Sequence, residues 1–533
     1  MSNHRYAMSR RGMVASAHSL ISSTGIDILR HEGTAMDAAV AMALTASVVL
    51  PDMCGIGGDT FMLYYDAKTK EVHALNGSGP MGQNYTIDFY RSKGYTNNPE
   101  HGPLSIAVPG SLSALNEGLK RFGRKSFAEC SKDAIHHARE GFSIGKKTSE
   151  YIEKRIELIK ESKVLSEIFL DEDGSPKKVH ALVKNIRLAR TLELLGRSSD
   201  HYFYTDIAPK IISKLNALGA DFVPSDFANY HAEWLEPIRV QYRNHWVYQT
   251  PPVSQGIIHL EMLNILNNFD LEAMGLGSSD LIHMMVEAKK LAFQDRIEYF
   301  GDPKFHKNPI DKMLSEEYGY SLSKKIEPSK SIVVKDFDHQ SNHTTSLVVV
   351  DHEGNACSLI TSISDAFGSG VMDEDTGILW NNRIGTNAIM VEGHPNRIEP
   401  LKRTMNTLNT YMILDQNRNC RFVGNTPGGD NQPQWNAQTV VNLLDFKQTV
   451  LDAIQHPYWY DAQTSNPMNR KTENILHLER SAGQKVFDEL TSKGHVTKQI
   501  ERCNGAFQLI EIKEDGTRCG ASDFRAEGVA IGY

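Results

Sequence analysis

Between residues 12 and 50 the apolar positions Ile21, Ile26, Ile28 and Leu29 recur at helical intervals before a stop at Gly33, and a second apolar run opens near Ala35. Two packed helices are predicted there. The longest apolar stretch, residues 38–51, falls short of the roughly 20 residues a bilayer span needs, so it reads as a buried helix and not a membrane segment. A glycine-rich turn follows, then an apolar run at 61–65, a polar turn at 68–70 and a further strand, which together predict a hairpin. Residues 127–300 are dominated by helical periodicity, clearest in LIHMMVEAKKLAFQDRIEY at 281–299. Residues 321–343 turn polar and irregular, the composition of an exposed connection and a place for processing. The pattern then switches to TSLVVVD at 345–351, a HEGN turn, and ACSLITSIS at 356–364, a strong hairpin signal. Strands at 411–414 and 421–424 flank another turn, and a helix opens beyond Gln434. Strands grouped in two places with helices between them predict an α+β fold of stacked sheets under helical layers, not a parallel βαβ sheet.

A chain of 533 residues exceeds one ordinary core, so length predicts about two to four domains or one large layered unit. The net charge of −8 argues against nucleic acid as a partner, because such binding needs a concentrated basic surface. The first residues carry charges with no apolar run after them, which gives a cytoplasmic expectation. Six scattered cysteines without a C-x-x-C pair fit reduced, structural thiols. The histidines form no H-E-x-x-H, and adjacent His136 and His137 diverge on a helix, so no metal is expected. No cofactor is expected either: GIGGD at 55–59 precedes a strand rather than a helix, unlike a dinucleotide fingerprint, and no G-x-x-x-x-G-K-[ST] occurs. That glycine cluster reads as a tight structural turn or as active-site lining.

Thr344 and Thr345 stand at the head of a predicted strand, where threonine is common for reasons of packing alone. Thr344 becomes chemically special if the His343–Thr344 peptide bond is cut, because its freed α-amine then lies within reach of its own hydroxyl and can act as the base. In the cut itself the hydroxyl attacks the His343 carbonyl and the resulting ester is hydrolysed. Downstream, Pro427-Gly428-Gly429 lies between a strand and a helix, where glycines let backbone N–H groups face a developing oxyanion. Nucleophile and anion stabiliser together are the parts of an acyl-transfer site.

These residues sit in ordered blocks that resemble the gamma-glutamyltransferase family nearly end to end: HEGTAMDAAVA at 31–41, GIGGDTFM at 55–62, VPGSLSAL at 108–115, EAKKLAFQDRIEYFGDP at 287–303, TTSLVVVDHEGNACSL after the processing point, and NTPGGD. The resemblance implies a four-layer αββα sandwich of two antiparallel sheets, the N-terminal-nucleophile hydrolase fold. It also implies autoprocessing into a large subunit, 1–343, and a small one, 344–533, which stay together as a heterodimer or a dimer of heterodimers. Thr344 would attack a small-molecule amide to form an acyl-enzyme, with Ser362 at the family position that steadies the nucleophile and Gly428 and Gly429 at the oxyanion turn. The positions that hold the glutamate α-amine in the family match Ser364, Arg383 and Thr386 here; the carboxylate-binding arginine falls near Asn76, and the adjacent serines fall on Asn406 and Thr407. A cationic arginine cannot accept from an ammonium. One reading therefore keeps γ-glutamyl substrates with altered contacts, for hydrolysis or transfer. A second assigns Arg383 to a carboxylate on a smaller amide, as in the family's oxamate amidohydrolase branch. For Arg383 the plain alternative is a structural ion pair with the acidic residues at 373–375, and for the whole chain it is an unprocessed, inert relative.

Overall fold

The computed structural model describes residues 6–332, 343–462 and 474–533. Two seven-stranded antiparallel sheets carry the architecture. The first runs Val529–Gly532, Met13–Ser16, His343–Val350, Ala356–Ser364, Asp59–Asp66, Glu71–Gly77, Glu233–Leu235. The second runs Ala7–Ser9, Arg518–Ser522, Gln508–Ile512, Cys420–Asn425, Tyr411–Leu414, His245–Gln249, Ile238–Tyr242. Side chains alternate across a strand, and this sorts the core into layers. Val348 and Val350 join Met13, Ala15, Leu63, Met412, Val423 and Ile510 between the sheets, while Leu347 and Val349 face the opposite way into the helix-covered core.

The helices Ser19–Arg30 and Ala35–Val49 cover the outer face of the first sheet, as their spacing predicts. Every residue of the second is buried, consistent with a helix that is apolar all round. A capping box fixes where it starts: Thr34 Oγ1 accepts the Asp37 N–H and the Asp37 carboxylate accepts the Thr34 N–H. Gly256–Leu266, Ser279–Tyr299 and Gln432–Leu444 pack with Val240, Val247, Ile413 and Leu509 on the far side of the second sheet. The result is the four-layer αββα sandwich.

Four readings of the pattern need correction. Met13–Ser16 is a fully buried strand ahead of the first helix, and a strand buried on both faces shows no alternation to read. The stretch 127–300 is not all helical: Ile238–Tyr242 and His245–Gln249 form a hairpin at the edge of the second sheet, turned by Arg243 and Asn244 at φ 44° and 62°. Two consecutive left-handed residues are what a tight hairpin turn requires, and Asn244 was its visible mark. The six strands that follow residue 444 among the described residues also escaped notice. The connection read at 321–343 begins with a helix, Glu316–Ser323, and its residues 333–342 lie outside the described residues. All six cysteines are buried and unpaired, and among the described residues no helix is long and apolar enough to cross a membrane.

Candidate active site

Thr344 is the second residue of the strand His343–Val350, in the middle of the first sheet. Pairing with the next strand is His343 to Ser364 and then Thr345 to Thr361, so the register shifts at Thr344. The extra residue lies on the partner strand, where Ser362 and Ile363 together oppose Thr344, and such a bulge interrupts the ladder there. The Thr344 hydroxyl is buried and has no hydrogen-bond partner among the described residues, and the side chain lines a cavity of about 20 Å³ together with Pro427, Ala506, Lys147 and Thr148. Thr345 is also buried, and its hydroxyl likewise has no hydrogen-bond partner among the described residues.

Pro427 leads into the glycine turn. Gly428 and Gly429 have φ of 138° and 56°, and a Cβ on Gly428 would lie 2.2 Å from the Trp435 ring, so the backbone there takes a path closed to other residues. Neither glycine N–H is spent on a backbone carbonyl among the described residues. Gln255 Nε2 ties the turn down by donating to the carbonyls of Gly429 and Thr407, at 2.8 and 2.5 Å. Ser362, on the neighbouring strand, accepts the Ser364 N–H at 2.8 Å.

The predicted binding residues converge, around a residue that the motif reading passed over. Asp59, fully buried at the head of its strand, accepts from Arg383 Nε at 2.8 Å and from Asn406 Nδ2 at 2.9 Å. Arg383 Nη1 donates to Asn387 Oδ1 and Thr407 Oγ1 at 3.2 and 3.4 Å. Thr386 Oγ1 donates to the same Asn387 oxygen and shares a 2.6 Å hydrogen bond with Ser364 Oγ. Ser364, itself at φ 83°, thus connects through Thr386, Asn387 and Arg383 to Asp59, Asn406 and Thr407 in one buried network. Burial pushes the Asp59 carboxyl up and the Arg383 guanidinium down, each only partly offset by the other. Among the described residues, Asp59 Oδ1 and Arg383 Nη2 have no hydrogen-bond partner.

Asn76 is not joined to this network: its side-chain carbonyl accepts from the Ser78 N–H and hydroxyl at 2.9 and 2.7 Å. The ion pair foreseen between Arg383 and residues 373–375 does not form. Lys214 engages all three of those acids, and the guanidinium turns to Asp59 instead. The glycines before Asp59 explain how. A Cβ on Gly57 would meet the Leu379 carbonyl oxygen at 2.2 Å and one on Gly58 the Ser362 carbonyl oxygen at 2.1 Å. The GIGGD turn is therefore structural: its glycines press the loop onto Leu379 and the Ser362 strand and bring Asp59 to Arg383 and Asn406. The sequence signal was present, an acid ending a glycine cluster before an apolar strand.

Among the described residues one group has the donors of a metal site, buried His283, Glu287 and His495. His283 Nδ1 lies 2.8 Å from His495 Nε2, and Lys290 Nζ donates to Glu287 Oε1 at 2.8 Å. The lysine already neutralises the carboxylate, so the arrangement reads as a closed polar core.

The sequence matches the model of the family described as gamma-glutamyltranspeptidase over residues 21–533. It is 34% identical over 529 residues to the glutathione hydrolase-like YwrD proenzyme of Bacillus subtilis (strain 168), covering 98% of each chain. It is 30% identical over 542 residues to the acylase ACY 1 proenzyme of Pseudomonas sp. (strain V22), covering 98% of this chain and 94% of that one. The fold matches the crystal structure of cephalosporin acylase from Bacillus halodurans with a TM-score of 0.91 at 28% identity, over 100% of this chain and 98% of that one. Helicobacter pylori gamma-glutamyltranspeptidase matches with a TM-score of 0.57 at 27% identity, over 62% of this chain and 95% of that one. With a family match across nearly the whole chain and the same layered fold, this protein belongs to the gamma-glutamyltranspeptidase family and is an amidohydrolase of the N-terminal-nucleophile hydrolase fold.

Proposed function

We propose that the chain cuts itself between His343 and Thr344 and that the freed threonine is the nucleophile of an amidohydrolase acting on amino-acid-like amides. The observation that carries this reading is the Thr344 hydroxyl: buried, without a hydrogen-bond partner among the described residues, opposite the bulge at Ser362 and Ile363, and in one cavity with the proline that leads into the Gly428-Gly429 turn. After the cut the Thr344 α-amine accepts the proton from its own Oγ1 as that oxygen attacks the substrate carbonyl. The Gly428 and Gly429 N–H groups receive the oxyanion, Ser362 steadies the nucleophile, and the amine leaves with the returned proton. Water, or an amino acceptor, then takes the acyl group from Thr344.

Residues 1–343 and 344–533 would remain one body. His343–Val350 lies between Met13–Ser16 and Ala356–Ser364, and Ala356–Ser364 in turn pairs with Asp59–Asp66, so strands of the two fragments interleave through the first sheet. Separating them would break five strand ladders, three in the first sheet and two in the second, and expose both layers of core.

Substrate choice rests on the two unpartnered atoms. Arg383 Nη2 offers a donor for a carboxylate and Asp59 Oδ1 an acceptor for an ammonium, a pair that answers both charges of an α-amino acid. This favours a γ-glutamyl group: the aspartate supplies the acceptor that Arg383 cannot. An oxamate-type amide would use the arginine alone and leave the aspartate oxygen buried and unanswered. Intact-mass analysis tests the mechanism: two polypeptides with a new terminus at Thr344 in the wild type, and a single inactive chain in Thr344→Ala. Amide turnover by an uncut wild-type chain would refute it. Turnover of a γ-glutamyl anilide over oxamate, measured as product release, tests the substrate class.

A further inference from the structure

Self-cleavage raises a chemical problem that turnover does not. Before the cut, the Thr344 nitrogen is an amide, so the base that serves the mature site does not yet exist. The cavity that holds Thr344 and Pro427 is also lined by Lys147, the second residue of the helix Lys146–Lys154. The Lys147 side chain is half-buried and forms no hydrogen bond or close ion pair with any described residue. The carboxylates that face it are Asp52 from the loop after Ala35–Val49, Glu150 from its own helix, and Asp523 and Glu527 from the C-terminal segment. Two of these are committed elsewhere: Glu527 accepts the Lys146 N–H at 2.6 Å, and Asp523 pairs with Arg525 at 3.0 Å. Asp52 accepts from Thr148 at 2.8 Å through one oxygen, and its other oxygen is buried without a hydrogen-bond partner among the described residues. His18 faces Glu527 and His137, Lys146 lies 3.9 Å from Glu150, and Cys54 and Tyr151 lie near Asp52. Burial outweighs these carboxylates and lowers the Lys147 ammonium pKa below the ordinary lysine value. A cavity of about 20 Å³ has room for one water.

We infer that Lys147 is the general base and acid of the self-cleavage step, taking the Thr344 Oγ1 proton, directly or through one water in the shared cavity, and returning it to the departing Thr344 nitrogen. The inference rests on the proposed scission. The Oγ1–carbon bond to the His343 carbonyl forms as the neutral amine gains the proton; the carbon–nitrogen bond then breaks as the ammonium gives that proton to nitrogen. An ester joining His343 to Thr344 Oγ1 remains, and water hydrolyses it to the His343 carboxylate and the free hydroxyl. Lysine ends as it began.

The test follows newly synthesised full-length precursor by denaturing electrophoresis and intact mass, for wild type, Lys147→Met and Lys147→Arg. Both variants should cut at least about 10²-fold more slowly, the usual size of a general acid–base contribution. Arginine keeps the positive charge without serving as a base, so Lys147→Arg cutting at the wild-type rate would overturn the assignment even if Lys147→Met fails to fold. Methylamine should accelerate scission of Lys147→Met and not of wild type, which a structural role would not produce. The wild-type rate should rise with pH to a plateau reached below the ordinary lysine pKa of about 10.4, and Lys147→Met should lose that rise. If wild type is cut and Lys147→Met matches it, the lysine assignment falls and the scission reading stands; if wild type is never cut, both fall.

Discussion

Arg383→Gln removes the Nε donor 2.8 Å from Asp59 Oδ2 and the Nη1 donors to Asn387 and Thr407, and leaves fully buried Asp59 with Asn406 Nδ2, at 2.9 Å, as its side-chain partner. Breaking a buried ion pair by removing one member costs about 3–5 kcal/mol, because the survivor keeps its desolvation penalty without its counter-charge. Asp59→Asn should cost a similar amount by stranding the guanidinium. The double variant replaces both charges with amides and should be more stable than either single one, with a coupling of about 2–4 kcal/mol in the cycle. Asp59 already has its pKa raised by burial, and loss of Arg383 raises it further. A carboxyl that holds its proton more tightly when folded makes stability fall as pH rises from the unfolded value of about 3.9 through the folded pKa, so Arg383→Gln should lose more at about pH 8 than at about pH 4. Urea unfolding at both pH values, in a Thr344→Ala background that keeps every sample one chain, measures all four corners. A loss under about 1 kcal/mol in Arg383→Gln, or a double variant no more stable than the singles, would refute the reasoning. In processed enzyme, Arg383→Gln should raise KM for a γ-glutamyl anilide by about tenfold or more, the scale of a lost charge-assisted hydrogen bond, with a smaller change in kcat.

Gly428→Ala should destabilise the protein by at least about 2 kcal/mol and abolish amide turnover, since the new Cβ would lie 2.2 Å from a Trp435 ring that is itself fixed by its hydrogen bond to the Trp459 carbonyl; thermal melting and initial rates check this, and normal values for both would refute it. Asp52 has its carboxyl pKa pushed up to about 6 by burial, above its unfolded value of about 3.9, so the folded chain binds the extra proton and stability falls as pH rises between about 4 and 6. Asp52→Asn should flatten that slope by about 3 kcal/mol at most across the window, measured by urea unfolding against pH; an unchanged slope would show that Asp52 does not titrate there.

What the sequence determined by itself was whatever depends on near neighbours along the chain. Helical spacing gave the pair that opens the fold, the HEGN turn gave the hairpin around Thr344, and the glycines at 428 and 429 marked a backbone path only they can follow. Ordered blocks gave the family, and with it Thr344, Ser362 and the arginine at position 383. Strands buried on both faces, such as Met13–Ser16, were invisible because periodicity reports a difference between two faces, and there is none when both are covered. Only the tertiary structure decided what Arg383 is paired with. Asp59 and Arg383 are separated by more than 300 residues and meet because one ends a glycine turn against the Ser362 strand while the other opens a short helix beyond it. The acids at 373–375, close in sequence, are claimed by Lys214. Lys147 and Thr344 likewise share a cavity that no local pattern announces. Charge pairing and proton transfer act over a few ångströms of space, and distance along the chain does not measure that space.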